Sequence, residues 1–325
     1  MTSFNAQEDE QRLRNLFTPS VLFWEYEKTL GNGAWGLAAL LKQKGVVEVG
    51  GRKVGRIVLK IGINFGEDQL RNEMEFLKMT NGAKHIVRLL GAVDNLNVNQ
   101  SYNRFPPLSF AFDAVAGING PVIALEYLDS GDLIRACIGM AYPANASLYT
   151  QSMLEEITPD KEPGSMAHND IAPRNIMIAS GDSIEEHGIG HIFKLIDFGR
   201  ASLMGDVRAK GNLFGIAAFM ITFITMSPGR SMTTVDHEGH ETHAAAILPS
   251  PQAPNPYPWL DPQLAGAIAR CQYRDVDRRP ELPDLLVQAR NAVLSGTADS
   301  YPIPENETND AIEDFCQRFI LDAPS

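Results

Sequence analysis

Cysteine is scarce in this chain of 325 residues. Cys137, Cys271 and Cys316 lie far apart, and without an export signal they describe reduced, mostly buried thiols rather than a disulfide framework. Long apolar runs are missing too. The longest, Leu213 to Met226, falls short of the roughly 18 to 20 residues that cross a bilayer and reads as a buried core helix. Met1 to Arg14 carries Glu8, Asp9 and Glu10 and no apolar stretch, which argues against secretion and leaves the sequon at Asn306 to Thr308 idle. Basic residues are outnumbered, 28 Lys and Arg against 40 Asp and Glu, for a formal net charge of −12. That balance argues against a nucleic-acid binder or a polybasic membrane-surface protein. These shortages predict a protein of the cytoplasm, or of the nucleus, that is not secreted and takes no nucleic acid or membrane as partner.

What is present is ordinary for a globular protein: 44% hydrophobic and 21% charged residues, enough for one large two-lobed domain or two modest ones. Asn5 to Phe17 suggests a short amphipathic helix, and Trp24 to Leu30 alternates as a strand does before running into glycines at 31, 33 and 36. Gly45 to Val49, a Gly50-Gly51 turn and Arg56 to Ile61 read as a β-pair. Glu67 to Met79 has helical spacing, with Leu70, Met74 and Leu77 on one face. Val87 to Val93 and Val122 to Leu128 read as strands, with a polar, Asn-rich loop from Asp94 to Arg104 between them. Beyond Gly131 the pattern turns helical: Leu133 to Tyr142, Leu213 to Met226, Asp261 to Gln272, and Pro280 to Leu294 with proline in its first turn. The Pro-rich stretch Pro249 to Pro262 reads as a surface loop, and there is no internal repeat. A strand-rich first third followed by helices predicts an α+β protein of two lobes with a cleft.

Several residue patterns carry chemistry. Gly31-Asn-Gly33-Ala-Trp-Gly36 is a G-x-G-x-x-G lying between two strand candidates rather than between a strand and a helix, which suits a glycine hairpin folded over phosphates. The strand period puts Val58 and Lys60 on one face and Ile57, Leu59 and Ile61 on the other. An ammonium over apolar surface needs a partner, and Glu73 or Glu75 can provide it. His168-Asn-Asp170 with Arg174 and Asn175 gathers a candidate proton acceptor and an amide oxygen for a metal. Phe193 to Gly199 ends a strand on Asp197, a second candidate metal ligand. His237, His240 and His243 are spaced by three rather than four, so they do not form a zinc-protease motif and read as a solvated loop.

Taken in order, these motifs resemble the eukaryotic protein kinase family from about Trp24 to Leu294. The resemblance implies a small β-rich N-lobe at 20–128, a larger helical C-lobe at 129–296, an N-terminal extension at 1–19 and a tail with a short helix at 297–325. It implies ATP and Mg2+ as cofactors. Gly31, Gly33 and Gly36 would form the glycine loop, Ala38 and Val58 would line the adenine, and Leu125-Glu126-Tyr127-Leu128 would supply the gatekeeper and hinge. Lys60 would hold phosphates and pair with Glu73, with Asp170 as base, Arg174 as the loop cation, and Asn175 and Asp197 as metal ligands. Cys271 to Leu286, with Arg279-Pro280, is similar to the last region of the family's C-lobe.

Departures bear on substrate and regulation. Asn169 stands where the family has an arginine, Ala172 where Ser/Thr kinases have a lysine, and Arg174 is similar to the tyrosine-kinase arrangement. Twelve residues, Arg200 to Gly211, separate Asp197-Phe-Gly199 from the apolar helix, and without an A-P-E motif Arg279 lacks its usual partner. Asp129 to Asp132 leaves no room for the helix that normally follows the hinge. The expectation is an ATP-dependent protein kinase whose protein substrate is unknown. The alternatives are a binding or scaffold protein on a kinase fold, and a small-molecule kinase of the aminoglycoside-phosphotransferase type.

Overall fold

A computed structural model of the chain describes residues 6–17, 23–129, 131, 166–179, 192–203, 205–227, 233–254, 256–300 and 304–314, apart from short stretches at 34–35, 45–47, 50–51, 54, 63–65, 84, 95–100, 104–107, 117–119, 307, 309 and 312–313. The expected helix at Leu133 to Tyr142 lies outside these residues. The chain divides into two units, Met1–Leu128 with Lys194–Ala201, and Asp129–Phe193 with Ser202–Ser325.

The first unit is built on strands β1 (Trp24–Gly33), β2 (Gly36–Gln43), β3 (Glu48–Val49), β4 (Arg52–Lys53), β5 (Arg56–Gly62), β6 (Leu89–Asp94), β7 (Ser101–Asn103) and β8 (Pro121–Glu126). One sheet runs β1-β2-β5-β8-β6-β7, and each neighbouring pair in it is antiparallel. The expected pairing of Gly45–Val49 with Arg56–Ile61 is not formed. β3 pairs with β4, and β5 pairs with β2 instead. The polar stretch expected as a loop contains β7, which extends the sheet beside β6.

Alternation in β5 decides which side of the sheet does what. Ile57, Leu59 and Ile61 are buried with Leu37, Ala39 and Leu41 of β2 and with Val122 and Ala124 of β8. On that side helix α1 (Ala6–Leu16) adds Leu13, Phe17 follows it, and helix α3 (Leu108–Ala114) adds Ala111. The N-terminal segment is thus part of the first unit's core rather than an appendage to it. Val58 and Lys60 face the other way, toward helix α2 (Glu67–Met79), whose Leu70, Glu73, Met74, Phe76 and Leu77 are buried. Glu67 and Asp68 in the first turn of α2 and Lys78 in its last complement the helix dipole.

The second unit contains β9 (Met166–Ala167), β10 (Ile176–Ala179), β12 (Ser202–Leu203), β13 (Val235–His237) and β14 (His240–Thr242), while β11 (Ile192–Leu195) carries the chain into the first unit. Its helices are α4 (Gly205–Thr225), α5 (Pro262–Cys271) and α6 (Leu282–Ser295). α5 begins where expected because Asp261 accepts the Leu264 N–H at 2.8 Å and Pro262 needs no donor in the first turn. α6 starts later than expected, with Pro283 rather than Pro280 in its first turn. α4 starts eight residues before the apolar run that predicted it. The core joins Leu213, Ala217 and Ile224 of α4 to Ala244, Ile247, Leu260, Ile268 and Ala269. Among the described residues no helix is long and apolar enough to cross a membrane.

The histidine cluster is a hairpin rather than a loop. β13 and β14 pair His237 with His240 around a two-residue turn whose Glu238 and Gly239 both have positive φ, 55° and 80°, the backbone that suits the twist of a tight hairpin. Buried Thr242 donates to the Ala269 carbonyl at 2.7 Å, which fixes the hairpin to α5. Among the described residues no group of three or more His, Cys, Asp or Glu side chains is arranged to hold a metal.

Candidate active-site residues

Lys60 leaves β5 toward α2 and donates to both oxygens of Glu73, at 2.7 and 2.8 Å. Glu75 pairs with Lys78 instead, so helix phase settles which of the two glutamates meets the strand lysine. The Glu73 side chain is 3% exposed and that of Lys60 25%. A third charge is close: Asp197 Oδ1 lies 4.0 Å from Lys60 Nζ, and its side chain is 47% exposed. Burial works against the Lys60 charge, but the Glu73 and Asp197 carboxylates outweigh it and raise its pKa. Burial also raises the Glu73 pKa, aided by Asp197 and opposed by Lys60. The result is an ammonium clamped by one buried carboxylate and shared with one that faces solvent.

Asp197 is not the last residue of its strand. β11 ends at Leu195, and Asp197 follows in the left-handed region, φ 65° and ψ 68°, before a 3-10 turn at Phe198–Arg200. The Phe198 side chain is fully buried, and its backbone N–H donates to Glu73. Asn72, which no pattern in the sequence marks, donates its side-chain amide toward the carbonyls of Phe198, Gly199 and Ala201, at 3.3, 3.1 and 2.9 Å. A second overlooked group is Asp94, wholly buried, whose carboxylate takes Arg71 Nε at 2.8 Å. It ends the apolar run of β6, and a carboxylate in that position signals a buried partner.

The glycines divide by role. Gly31 and Gly33 close β1 and Gly36 opens β2. An added Cβ at Gly31 would meet nothing within 4 Å, whereas at Gly36, with φ 153°, it would run into the Ile61 carbonyl oxygen of β5. Gly36 is therefore required by the sheet itself. Ala38 pairs with Lys60 across β2 and β5 and, like Val58, is half-buried on the lysine side. Glu126 is tied into the unit: its N–H donates to the Arg88 carbonyl and its carboxylate takes the Arg88 N–H and Lys194 Nζ, both at 2.7 Å. Its side chain is structural, and Leu128 is buried at the unit's edge.

In the second unit, Asp170 sits on a loop between β9 and β10 that α4 holds in place. Asn212 of α4 accepts the His168 N–H at 2.9 Å and donates to the Met166 carbonyl at 3.3 Å. Gly215 allows that approach, because an added Cβ would lie 3.0 Å from Ile171 Cβ. Asn169 adopts φ 62°. Asp170 is gripped at both oxygens: Arg174 donates to Oδ1 at 2.7 Å and Asn175 Nδ2 to Oδ2 at 3.2 Å and to the Asp170 carbonyl at 2.8 Å. With its nitrogen so committed, Asn175 has its amide oxygen to offer a ligand. Arg174, expected to meet a transferred group, is bound to Asp170, although its side chain is 58% exposed.

Beyond Gly199 the connection is shorter than expected. α4 begins at Gly205, so only Arg200 to Met204 intervene, and within them β12 pairs Ser202 with Ala167 and Leu203 with Met166. The Ser202 hydroxyl takes a bond of 2.8 Å from Asn169 Nδ2. Arg279 spans Tyr273 and α4: its Nε donates to the Tyr273 carbonyl at 2.9 Å, its Nη1 to the Lys210 carbonyl at 3.3 Å, and the guanidinium lies over the Phe214 ring at 4.6 Å. No protein-family model matches the chain, and no curated protein matches it.

Proposed function

We propose that the protein is an ATP- and magnesium-dependent phosphotransferase of protein-kinase type that passes the γ-phosphate to a protein hydroxyl. The observation that carries this reading is Lys60, clamped by buried Glu73 at 2.7 Å and shared with partly exposed Asp197 at 4.0 Å. A lysine with a fixed position and a secured charge suits phosphate oxygens, which need a cation that stays charged and does not wander. Gly31 and Gly33 let backbone approach the phosphates, and Ala38 and Val58 offer small half-buried apolar groups to a base. The donor types suit a hard cation: the Asp197 carboxylate beside Lys60 would hold magnesium with substrate phosphates completing its shell, and the Asn175 amide oxygen is a donor of the same hard kind. When bound, the ion would neutralise charge on the transferred group. Asp170, oriented by Asn175 and paired with Arg174, takes the proton of the acceptor hydroxyl.

A nucleotide-binding scaffold is the second reading, and the early start of α4 at Gly205 favours it, since Arg200 to Met204 provide little shelf for a peptide. Thermal shift with ATP, with and without MgCl2, followed by transfer of labelled phosphate to a general protein substrate, separates the two. A magnesium-dependent shift that Asp197→Ala abolishes is expected. No shift in the wild type refutes nucleotide binding, and a shift without transfer favours the scaffold.

A further inference from the structure

Glu73 and Asn72 are successive residues of α2, about 100° apart around the helix, and they fasten different things. Glu73 takes Lys60 and the Phe198 N–H. Asn72 points its amide nitrogen at three carbonyl oxygens in the stretch 198–201. Three acceptors converging on one group identify it as the NH2 side of the amide, whose two hydrogens are shared among them. The fit is close along the whole contact: an added Cβ at Gly199 would lie 3.4 Å from Asp197 Oδ1 and 3.5 Å from Gln69 Cβ of α2. The residue so constrained is Asp197, held at φ 65°, where a non-glycine residue costs free energy unless its surroundings impose it.

We propose that Asn72 is a positioning residue that sets the affinity of Asp197 for a divalent cation. Resting on the function proposed above, it deepens that reading: the donated amide keeps the turn 198–201 against α2, so that the Asp197 carboxylate stays beside Lys60 and turned to solvent. α2 thereby fixes the phosphate-binding cation and the metal-binding anion from neighbouring positions. Ordering of this turn is then built into the helix and needs no phosphorylated residue in the short stretch that follows.

The test uses the full chain and two variants. Asn72→Asp keeps the shape but turns an oxygen toward three carbonyls, and Asn72→Ala removes the donor. The magnesium concentration giving half of the ATP-dependent thermal shift is measured, with MnCl2 alone, followed by electron paramagnetic resonance, as the second probe. Loss of one or two hydrogen bonds predicts a rise of about tenfold in the half-saturating metal concentration for Asn72→Ala and more for Asn72→Asp, while the shift given by ATP without metal is unchanged. A purely structural residue would lower the melting temperature and leave the metal requirement alone, and that result overturns the proposal. Global unfolding of both variants overturns it as well, since a clamp on one turn leaves the core on the opposite side of the sheet intact. Absence of any metal-dependent shift in the wild type, by contrast, defeats the function reading and takes this one with it.

Discussion

Replacing Glu73 by glutamine removes a charge without changing shape, and the geometry sets the size of the effect. Lys60 makes two charge-assisted bonds to Glu73, at 2.7 and 2.8 Å, of the kind worth about 1.5–3 kcal/mol each against roughly 1 for a neutral bond. Glutamine keeps one acceptor. Asp197, at 4.0 Å and nearly half exposed, makes up little of the loss because solvent screens it. Removing one partner of a fully buried pair costs about 3–5 kcal/mol, and the quarter exposure of Lys60 brings the expectation down to about 2 kcal/mol. For a chain of 325 residues that lowers the melting temperature by about 3 °C. Calorimetry measures the loss, and hydrogen exchange should place it in α2 and β5 with α5 unchanged. The pH dependence has a definite sign. The raised Lys60 pKa contributes stability below lysine's ordinary 10.5 that is lost as pH climbs through the folded value, whereas the raised Glu73 pKa makes ionisation costly as pH rises from 4.5. Glu73→Gln should therefore show a flatter alkaline loss than the wild type. Equal melting temperatures, or the same drop in Glu75→Gln, would refute the reasoning.

Three further outcomes follow from the site and its surroundings. Asp170→Asn should abolish phosphate transfer while leaving the ATP thermal shift within about twofold, because the role proposed for Asp170 is on the acceptor hydroxyl; equal loss of both in a folded variant contradicts the assignment. Burial pushes the Cys271 thiol up to about 11, so at pH 8 iodoacetamide should label it about 100-fold more slowly in the native protein than in urea, measured by peptide mass spectrometry. Ser202→Ala and phosphatase treatment should both leave transfer unchanged, since the hydroxyl is held by Asn169 within a paired strand; a large loss on dephosphorylation would sink this.

The parts of the site governed by local period were legible in the sequence. Alternation in Arg56 to Ile61 put Lys60 opposite the core residues, and helical spacing in Glu67 to Met79 offered Glu73 to it. What stayed hidden was non-local or lacked apolar rhythm. Asn72 bonds carbonyls 126 to 129 residues away, a relation that no spacing encodes. Asp94 and Arg71 meet only after β6 packs beside α2. The first turns of α4, Gly205 to Asn212, carry glycine and charge in place of the apolar run that marks the rest of the helix, so its start read as a loop. The histidine hairpin was obscured for the reverse reason: a Glu-Gly turn defines it, and the charged residues around that turn mask the strands.

The first unit is assembled from two separated pieces of chain, and this governs when it can form. During synthesis Glu126 has no Lys194, Val87 no Leu195 carbonyl and Asn72 no acceptors until the whole of 129–193 has been made. The six-stranded sheet can close early, but the nascent unit then carries a half-buried glutamate lacking its lysine and a helix lacking its turn. A fragment ending at Leu128 would be caught permanently in that state, with unsatisfied polar groups along one edge. Dividing this protein for expression therefore requires the eight residues Lys194–Ala201 to be supplied as well, either by a linker or as a second peptide.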